Sequence, residues 1–310
     1  MTLITIPQSD LQVHPLSLGG NVFGFSADTA ESIAVLNEYQ SFGGNFVDTA
    51  DVYSEWKPGN VGHESEVIIG KWMKENGNRA DVIVATKVAK LSTRAGLSSV
   101  NITAALEDSI RALQTDYIDI YYAHADDESV PMEETLKTFT DLIQSGKVRY
   151  IAASNFTGAR LEAALTISEM NGFAKYIAVQ NEYNLITRKA WEDDTSIVAK
   201  KHGISGIPWY GLARGFLTGK YRPGVVVESV RSAGVAGYQD GRGWAILGAL
   251  DIIAKAHNSS LSAIALAWLR AQSSISVPIA SARTVEQLRE IIQVVELTTS
   301  EIQTLTDVSR

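Results

Sequence analysis

No cysteine occurs in the 310 residues. That absence removes thiol nucleophiles, thiolate metal sites, iron–sulfur clusters and disulfides together. No apolar run approaches the ~18 residues needed to cross a bilayer. The opening MTLITIPQSDLQ has neither a positive n-region nor a long apolar stretch, so no secretory signal is visible and a cytoplasmic location is expected. Positive charge is also scarce, with 27 Lys and Arg against 35 Asp and Glu and a formal net charge of -8. An acidic chain is a poor non-specific ligand for nucleic acid or anionic membrane, so neither is an expected partner. His14, His63, His202 and His257 have no pair spacing that suits a metal, and no metal site is expected. No GxGxxG follows a strand, so nothing points to a Rossmann site.

What the sequence does have is a repeating alternation. Candidate strands are Leu16–Leu18, Asn45–Asp48, Val82–Thr86, Tyr117–Ala123, Tyr150–Ser154, Ile177–Gln180, Ile204–Trp209 and Ile275–Ile279. Runs such as VIVAT and YIAVQ are nearly continuous in apolar residues, as strands buried on both faces are. Between them, Glu31–Phe42, Ser65–Glu75, Thr103–Leu113, Glu133–Gln144, Ala159–Met170, Ala190–His202, Leu261–Ala271 and Val285–Val295 have apolar residues at helical spacing. Asp28 with Glu31, and Thr284 with Gln287, read as capping boxes. Eight strand–helix alternations favour a (β/α)8 barrel over a doubly wound sheet, though the alternation alone leaves both open. The glycine-punctured stretch Tyr221–Gly243 reads as a lid over the barrel mouth.

In a barrel, polar residues at the carboxyl ends of strands converge on one pocket. Asp48, Lys87, His124, Asn155 and Gln180 each close a different candidate strand. A charge at the mouth of an apolar strand requires a partner, and Asp48 and Lys87 on adjacent strands suit each other. That pair alone would read as a structural salt bridge, and His124 alone as a core histidine. Tyr53, five positions after Asp48, changes the reading. A phenol titrates near ~10. An ammonium at roughly 4 Å, at an effective dielectric of about 20, favours phenolate by up to ~4 kcal/mol before desolvation opposes it. The expectation is a phenol brought towards neutrality, suited to giving a proton to an oxygen that gains negative charge, as in carbonyl reduction.

These residues resemble the aldo-keto reductase superfamily. FVDTADVYS and GHESEVIIGKW look like its DTAxxY and G-x-SE-xx-G signatures at Asp48, Tyr53, Gly62, Ser65, Glu66 and Gly70. VIVATKV matches the strand of the family lysine at Lys87, and ALEDSIRALQTDYIDIYYAH matches the segment ending in the family histidine at His124. The resemblance, from SLGGNVFG to the last barrel helix, implies one domain over residues 1–310. Its fold would be a single (β/α)8 TIM barrel with the active site at the C-terminal face of the strands. It implies an oxidoreductase that reduces aldehydes or ketones by hydride transfer, with Asp48, Tyr53, Lys87 and His124 as catalytic tetrad and Tyr53 as acid. The implied cofactor is NADPH, with NADH possible. Ser154, Asn155 and Gln180 would hold the nicotinamide amide, and Trp209 would stack on its ring. Gly211, Leu212 and Arg214 fall in the loop GLARGFLTGKY that wraps the pyrophosphate. Ser281, Arg283 and Gln287 fall in the last phosphate-binding element, where Arg283 and the free N–H groups of the helix begun by Thr284 suit the extra phosphate of NADPH.

Phe23, Trp56 and Trp244 sit in mouth-face loops and are candidates to line the substrate pocket. Ala125, Asp126 and Asp127 follow His124 where the family often has an aromatic or basic residue and then proline, and the two acids predict that strongly anionic substrates are disfavoured. Trp209 stands where a smaller aromatic or serine is usual, and Ile291 where many members have an adenine-contacting asparagine. The expected partner is a small carbonyl substrate, with the oligomeric state left open. The alternative is a cofactor-binding regulatory subunit on the same fold, similar to those attached to potassium channels. The absence of a docking segment at either end favours the free enzyme.

Overall fold

Period-two alternation decides which strand residues meet at the barrel centre. The structure is a computed structural model that describes residues 2–227 and 232–310. A short antiparallel hairpin, β1 (Ile4–Thr5) and β2 (Gln12–Val13), comes first. Eight further strands follow: β3 (Ser17–Gly19), β4 (Phe46–Asp48), β5 (Ile83–Val88), β6 (Ile118–Ala123), β7 (Val148–Ser154), β8 (Tyr176–Gln180), β9 (Ser205–Gly206) and β10 (Ile279–Ala280). They pair in the order β10-β3-β4-β5-β6-β7-β8-β9, each pair parallel. The sheet closes on itself. Gly206 N donates to Ser274 O at 2.8 Å, Ser276 N to Gly206 O at 3.0 Å and Ile279 N to Pro208 O at 2.9 Å. Closure removes the open edges a flat sheet would expose. The chain is thus an α/β barrel, as its pattern predicts.

Alternate residues divide between two cores. Phe46, Ile83, Ala85, Ile120, Tyr122, Ala152 and Ala178 pack together inside the barrel, while Val47, Val84, Val88, Tyr121, Ile151 and Val179 pack outward under the helices. The hairpin was not foreseen. Ile6, Leu11 and Val13 join the inner cluster and close the bottom of the barrel. β9 and β10 are shorter than the runs 204–209 and 275–279 predict, because Pro208 and Pro278 have no N–H to give to a ladder.

The outer ring consists of α1 (Thr29–Ser41), α2 (Glu64–Asn76), α3 (Ser99–Leu113), α4 (Met132–Gln144), α5 (Gly158–Asn171), α6 (Ser196–His202), α7 (Ser232–Val235), α8 (Gly241–Ala256), α9 (Leu261–Arg270), α10 (Val285–Ile291) and α11 (Thr299–Val308). The Asp28–Glu31 capping box forms as expected. In the second one, Thr284 accepts from Gln287 N, but the Gln287 side chain takes the N–H of Arg283 instead of that of Thr284. α10 ends at Ile291, short of the predicted Val295. α8 and α11 went unseen in the sequence. The glycines that read as a lid partly serve α8: the Asp240 side chain accepts from Gly243 N at 2.7 Å and caps the helix. A Cβ on Gly243 would stand 1.8 Å from Tyr238 O, so glycine is required by a contact there. Residues 228–231 of the expected lid lie outside the described residues.

One signature glycine has a packing role. A Cβ on Gly70 in α2 would stand 2.5 Å from Ala112 O and 2.7 Å from Leu113 Cα, both backbone atoms of α3. Helix propensity alone would make alanine better here by about 1 kcal/mol. The contact reverses the sign. Gly70→Ala is expected to destabilise by about 1–3 kcal/mol, the usual range for overpacking, measured by urea unfolding. A variant more stable than the parent would show that α2 and α3 do not pack this closely.

Candidate active site

The inward parity of the strands carries polar side chains to one end of the barrel. Asp48 ends β4, Lys87 is next to last in β5, His124 follows β6, Ser154 ends β7 and Gln180 ends β8. The register sets Asp48 beside Ala85, Lys87 beside Tyr122 and Ser154 beside Gln180. Lys87 is completely buried. Its ammonium donates to Asp48 Oδ2 at 2.7 Å, to Thr49 O at 2.6 Å and to the Tyr53 hydroxyl at 3.0 Å. Tyr53 in turn donates to Asp48 Oδ2 at 3.3 Å. Gln180 Nε2 donates to the other carboxylate oxygen at 2.8 Å, which fixes Asp48 from across the barrel.

The electrostatics differ from the sequence expectation in one respect. The Tyr53 pKa is pushed well above 10, first by burial, then by the charge of Asp48 and the hydrogen bond to it. The pull of the lysine, expected to prevail over desolvation, does not. In the structure the phenol also loses hydration and faces a carboxylate, so it is held as a proton donor and is not brought towards neutrality. Burial lowers the Lys87 pKa from 10.5, against the pull of Asp48. His124 agrees with expectation: burial first, then the charges of Lys87 and Lys90, push its pKa well below 6.5, so the imidazole is neutral. Its ring meets that of Tyr53 edge-on with centroids 6.0 Å apart.

The other signature residues support this group from behind. The Ser65 hydroxyl donates to Gly20 O at 2.8 Å and accepts from Thr49 Oγ1 at 2.8 Å, steadying the residue whose carbonyl holds Lys87. Glu66 is fully buried, accepting from Thr86 Oγ1 at 2.5 Å and meeting His63 Nδ1 at 2.5 Å. Asp51, also fully buried, was missed. Burial first and the charge of Glu66 second push its pKa up to about 8. Nothing in the spacing of the DTAD run separates it from Asp48.

A cleft of about 1130 Å³ opens above these residues. Typical small-ligand pockets hold roughly 300–1,000 Å³, so it is large enough for a bulky ligand and a small one together. Asp48, Tyr53 and His124 line it, as do Ser154, Asn155 and Gln180. Asn155 has a left-handed φ of 59° and is tied down by its amide, which donates to His124 O at 2.7 Å and Ser154 Oγ at 3.0 Å. On the wall after β9 and β10 stand Trp209, Gly211, Leu212 and Arg214, then Ser281, Arg283 and Gln287. Ile291 lines it too. Arg214, Lys220 and Arg283 are all on the lining, and none is in an ion pair among the described residues. Cations gathered in one cleft of an acidic chain without ion pairs among the described residues fit a polyanionic ligand such as a nucleotide.

The pocket residues named from the sequence fare unequally. Trp56 lines the cleft, with its ring edge-on to Phe25 at 5.8 Å and to Tyr53 at 6.1 Å. Phe23 does not: it is wholly buried in the outer core, and Phe25 and Val22 take its place. Trp244 is also away from the lining, packed on Phe216 with centroids 5.7 Å apart in the first turn of α8. Asp126 and Asp127 do not face the cleft either. Asp126 holds Arg160 at 2.5 and 3.0 Å, while Asp127 accepts from Leu97 N and from Ser129. The bias against anions expected from them therefore has no structural basis. Tyr210 and Lys90, both on the lining, carried no motif that would have found them.

No helix among the described residues is long and apolar enough to cross a membrane, and no group of three or more metal-binding side chains occurs among them. Comparison with known proteins bears on the whole barrel. The chain is 32% identical over 300 residues to the oxidoreductase YrpG of Bacillus subtilis, covering 94% of this chain and 90% of the relative. It is 34% identical over 304 residues to a putative voltage-gated potassium channel subunit beta of Schizosaccharomyces pombe, covering 93% and 86%. It is 27% identical over 315 residues to the aryl-alcohol dehydrogenase GME11368 of Pestalotiopsis microspora, covering 96% and 79%. The sequence model of the aldo/keto reductase family matches residues 15–310. With that match over nearly its entire length and the barrel beneath it, this chain belongs to the aldo/keto reductase family of oxidoreductases.

Proposed function

We propose that this oxidoreductase reduces aldehydes or ketones to alcohols with NADPH, and that Tyr53 is the acid. The observation that carries the reading is the contact of a buried ammonium with a phenol at the floor of the cleft, 3.0 Å from Lys87 Nζ to the Tyr53 hydroxyl. When bound, NADPH would supply the hydride for the carbonyl carbon. Tyr53 delivers its proton to the carbonyl oxygen as negative charge builds there, and a protonated phenol is what its raised pKa provides. Lys87 acts on the other side of that transfer, stabilising the phenolate that remains. Asp48 and Gln180 hold the lysine in place. His124, neutral, offers a hydrogen bond to the carbonyl oxygen and fixes the substrate's position.

The cofactor contacts follow from the lining. Both N–H groups of the Asn155 amide are engaged, which leaves its oxygen as an acceptor for the nicotinamide carboxamide, beside Ser154. Gln180 acts chiefly through Asp48. Trp209 offers an aromatic face to the nicotinamide ring, with Tyr210 edge-on to it at 4.6 Å. Arg214 and the loop residues Gly211 and Leu212 suit the pyrophosphate, and Ser281, Arg283 and Gln287 suit the adenosine end. Arg283 is exposed on the lining and carries a planar, permanently charged fork for a phosphate. The likeness to a potassium channel subunit beta supports a second reading, a regulatory subunit on this barrel that binds a nicotinamide cofactor without serving as a metabolic enzyme.

Purified protein that oxidises NADPH steadily with simple aldehydes supports the enzyme, whereas tight cofactor binding without turnover supports the subunit. Tyr53→Phe should lower kcat/KM by about 10²–10⁴-fold, the usual contribution of a general acid, with NADPH affinity retained. An active variant would remove Tyr53 from the chemistry. Arg283→Ala should weaken NADPH by roughly tenfold or more and NADH much less, since one charged hydrogen bond contributes about 1.5–3 kcal/mol. Equal losses measured by fluorescence titration would mean that Arg283 does not touch the distinguishing phosphate.

A further inference from the structure

The wall of the cleft carries a cation, Lys90, to which the proposed chemistry gives no contact with cofactor or substrate. Lys90 lies three residues beyond Lys87, on the lining that follows β5, between the loops that follow β4 and β6 and bring in Tyr53 and His124. The chain reaches it through Ala89, whose φ of 114° is one that L residues rarely adopt. Gly96 N donates to Ala89 O at 2.9 Å and holds that turn. Strained backbone of this kind persists where the surroundings fix it, and it clusters at functional sites.

Lys90 makes no hydrogen bond or ion pair among the described residues. Three carboxylates of the adjoining loops are engaged elsewhere: Glu55 with Ser92, Asp126 with Arg160, and Asp127 with Leu97 and Ser129. Desolvation first and the charge of Lys87 second lower its pKa from 10.5, and its own charge is among those that keep His124 neutral. Lys90 therefore brings to the cleft beside His124 a positive charge that no ion pair among the described residues cancels. The remaining lining there, Val22, Phe25 and Trp56, is apolar and aromatic.

On the reading that this cleft reduces carbonyls, we infer that Lys90 selects substrates that combine an aromatic or apolar body with an anionic group, a carboxylate above all. The ammonium pairs with the carboxylate at the rim, and the body of the substrate lies against Trp56 and Phe25 with its carbonyl turned to Tyr53. This assignment is the reverse of the anion exclusion that Asp126 and Asp127 imply in the sequence.

The test compares 4-carboxybenzaldehyde with the methyl ester of the same acid, a neutral aldehyde of similar shape, as substrates of the NADPH-loaded protein. The parent should favour the carboxylate in kcat/KM by roughly tenfold, the size of one charge-assisted hydrogen bond. The ratio should fall to about one in Lys90→Ala and Lys90→Gln, and drop below one in Lys90→Glu. Reduction of both aldehydes with the same ratio in parent and variants overturns the role of Lys90 and leaves the carbonyl-reductase reading intact. A parent that reduces neither aldehyde sinks both.

Discussion

Everything in the cleft depends on one buried ion pair, the Lys87 ammonium held 2.7 Å from the Asp48 carboxylate at the top of the barrel core. Neither partner tolerates the site alone. Removing one side of such a pair leaves an unpaired buried charge, at a penalty of about 3–5 kcal/mol. The remaining donors and acceptors are filled by Gln180 on the carboxylate and the Thr49 carbonyl on the ammonium. Those contacts come from β4, β5 and β8, so the pair has all of these partners only when the sheet has curled far enough for β8 to face β4. Barrel closure and site assembly are one requirement, and the Ser65–Thr49 bond extends it to the start of α2.

On the proposed role of Tyr53 as the acid, the same pair sets the proton chemistry by opposition. Asp48 and desolvation keep the Tyr53 phenol protonated, while Lys87 waits on the same hydroxyl to favour the anion that forms when the proton leaves. The proposed acid must be loaded before the reaction and relieved during it, and two opposite charges on one oxygen would provide both. His124 stays outside the contest because burial and two nearby cations deny it a proton. The cleft's other cations, Arg214, Lys220, Arg283 and Lys90, make no ion pair among the described residues, so the acidic net charge of the chain does not describe the field its ligands meet.

The sequence was most legible where one residue had one reason to be polar. Asp48, Lys87, His124 and Gln180 each end or follow an apolar run, and a barrel has only one place to put such residues. Legibility failed where contact outweighs pattern. The glycines from Gly234 to Gly243 look like a loop, yet Gly243 is there because Tyr238 O fills the space of a Cβ, and the helix behind it was lost to view. Phe23 and Phe25 are two residues apart, and a short loop gives no period to tell the core-facing ring from the cleft-facing one. Asp126 and Asp127 read as a charged rim, but their partners Arg160 and Leu97 lie more than thirty positions away or across a loop that the sequence does not order. The sign of the Tyr53 shift is hidden for a related reason: the depth of its burial and the direct contact of Asp48 with the same hydroxyl are set by the fold and not by the spacing.

The most direct test of the ion pair's role is single-turnover hydride transfer followed by NADPH fluorescence in the parent and in Lys87→Met, with cofactor affinity measured separately. If the ammonium relieves the phenolate as argued, the transfer rate falls at least about a hundredfold while NADPH binding changes only a few-fold. A transfer rate equal to the parent's, with the variant folded and cofactor-bound, would contradict the account.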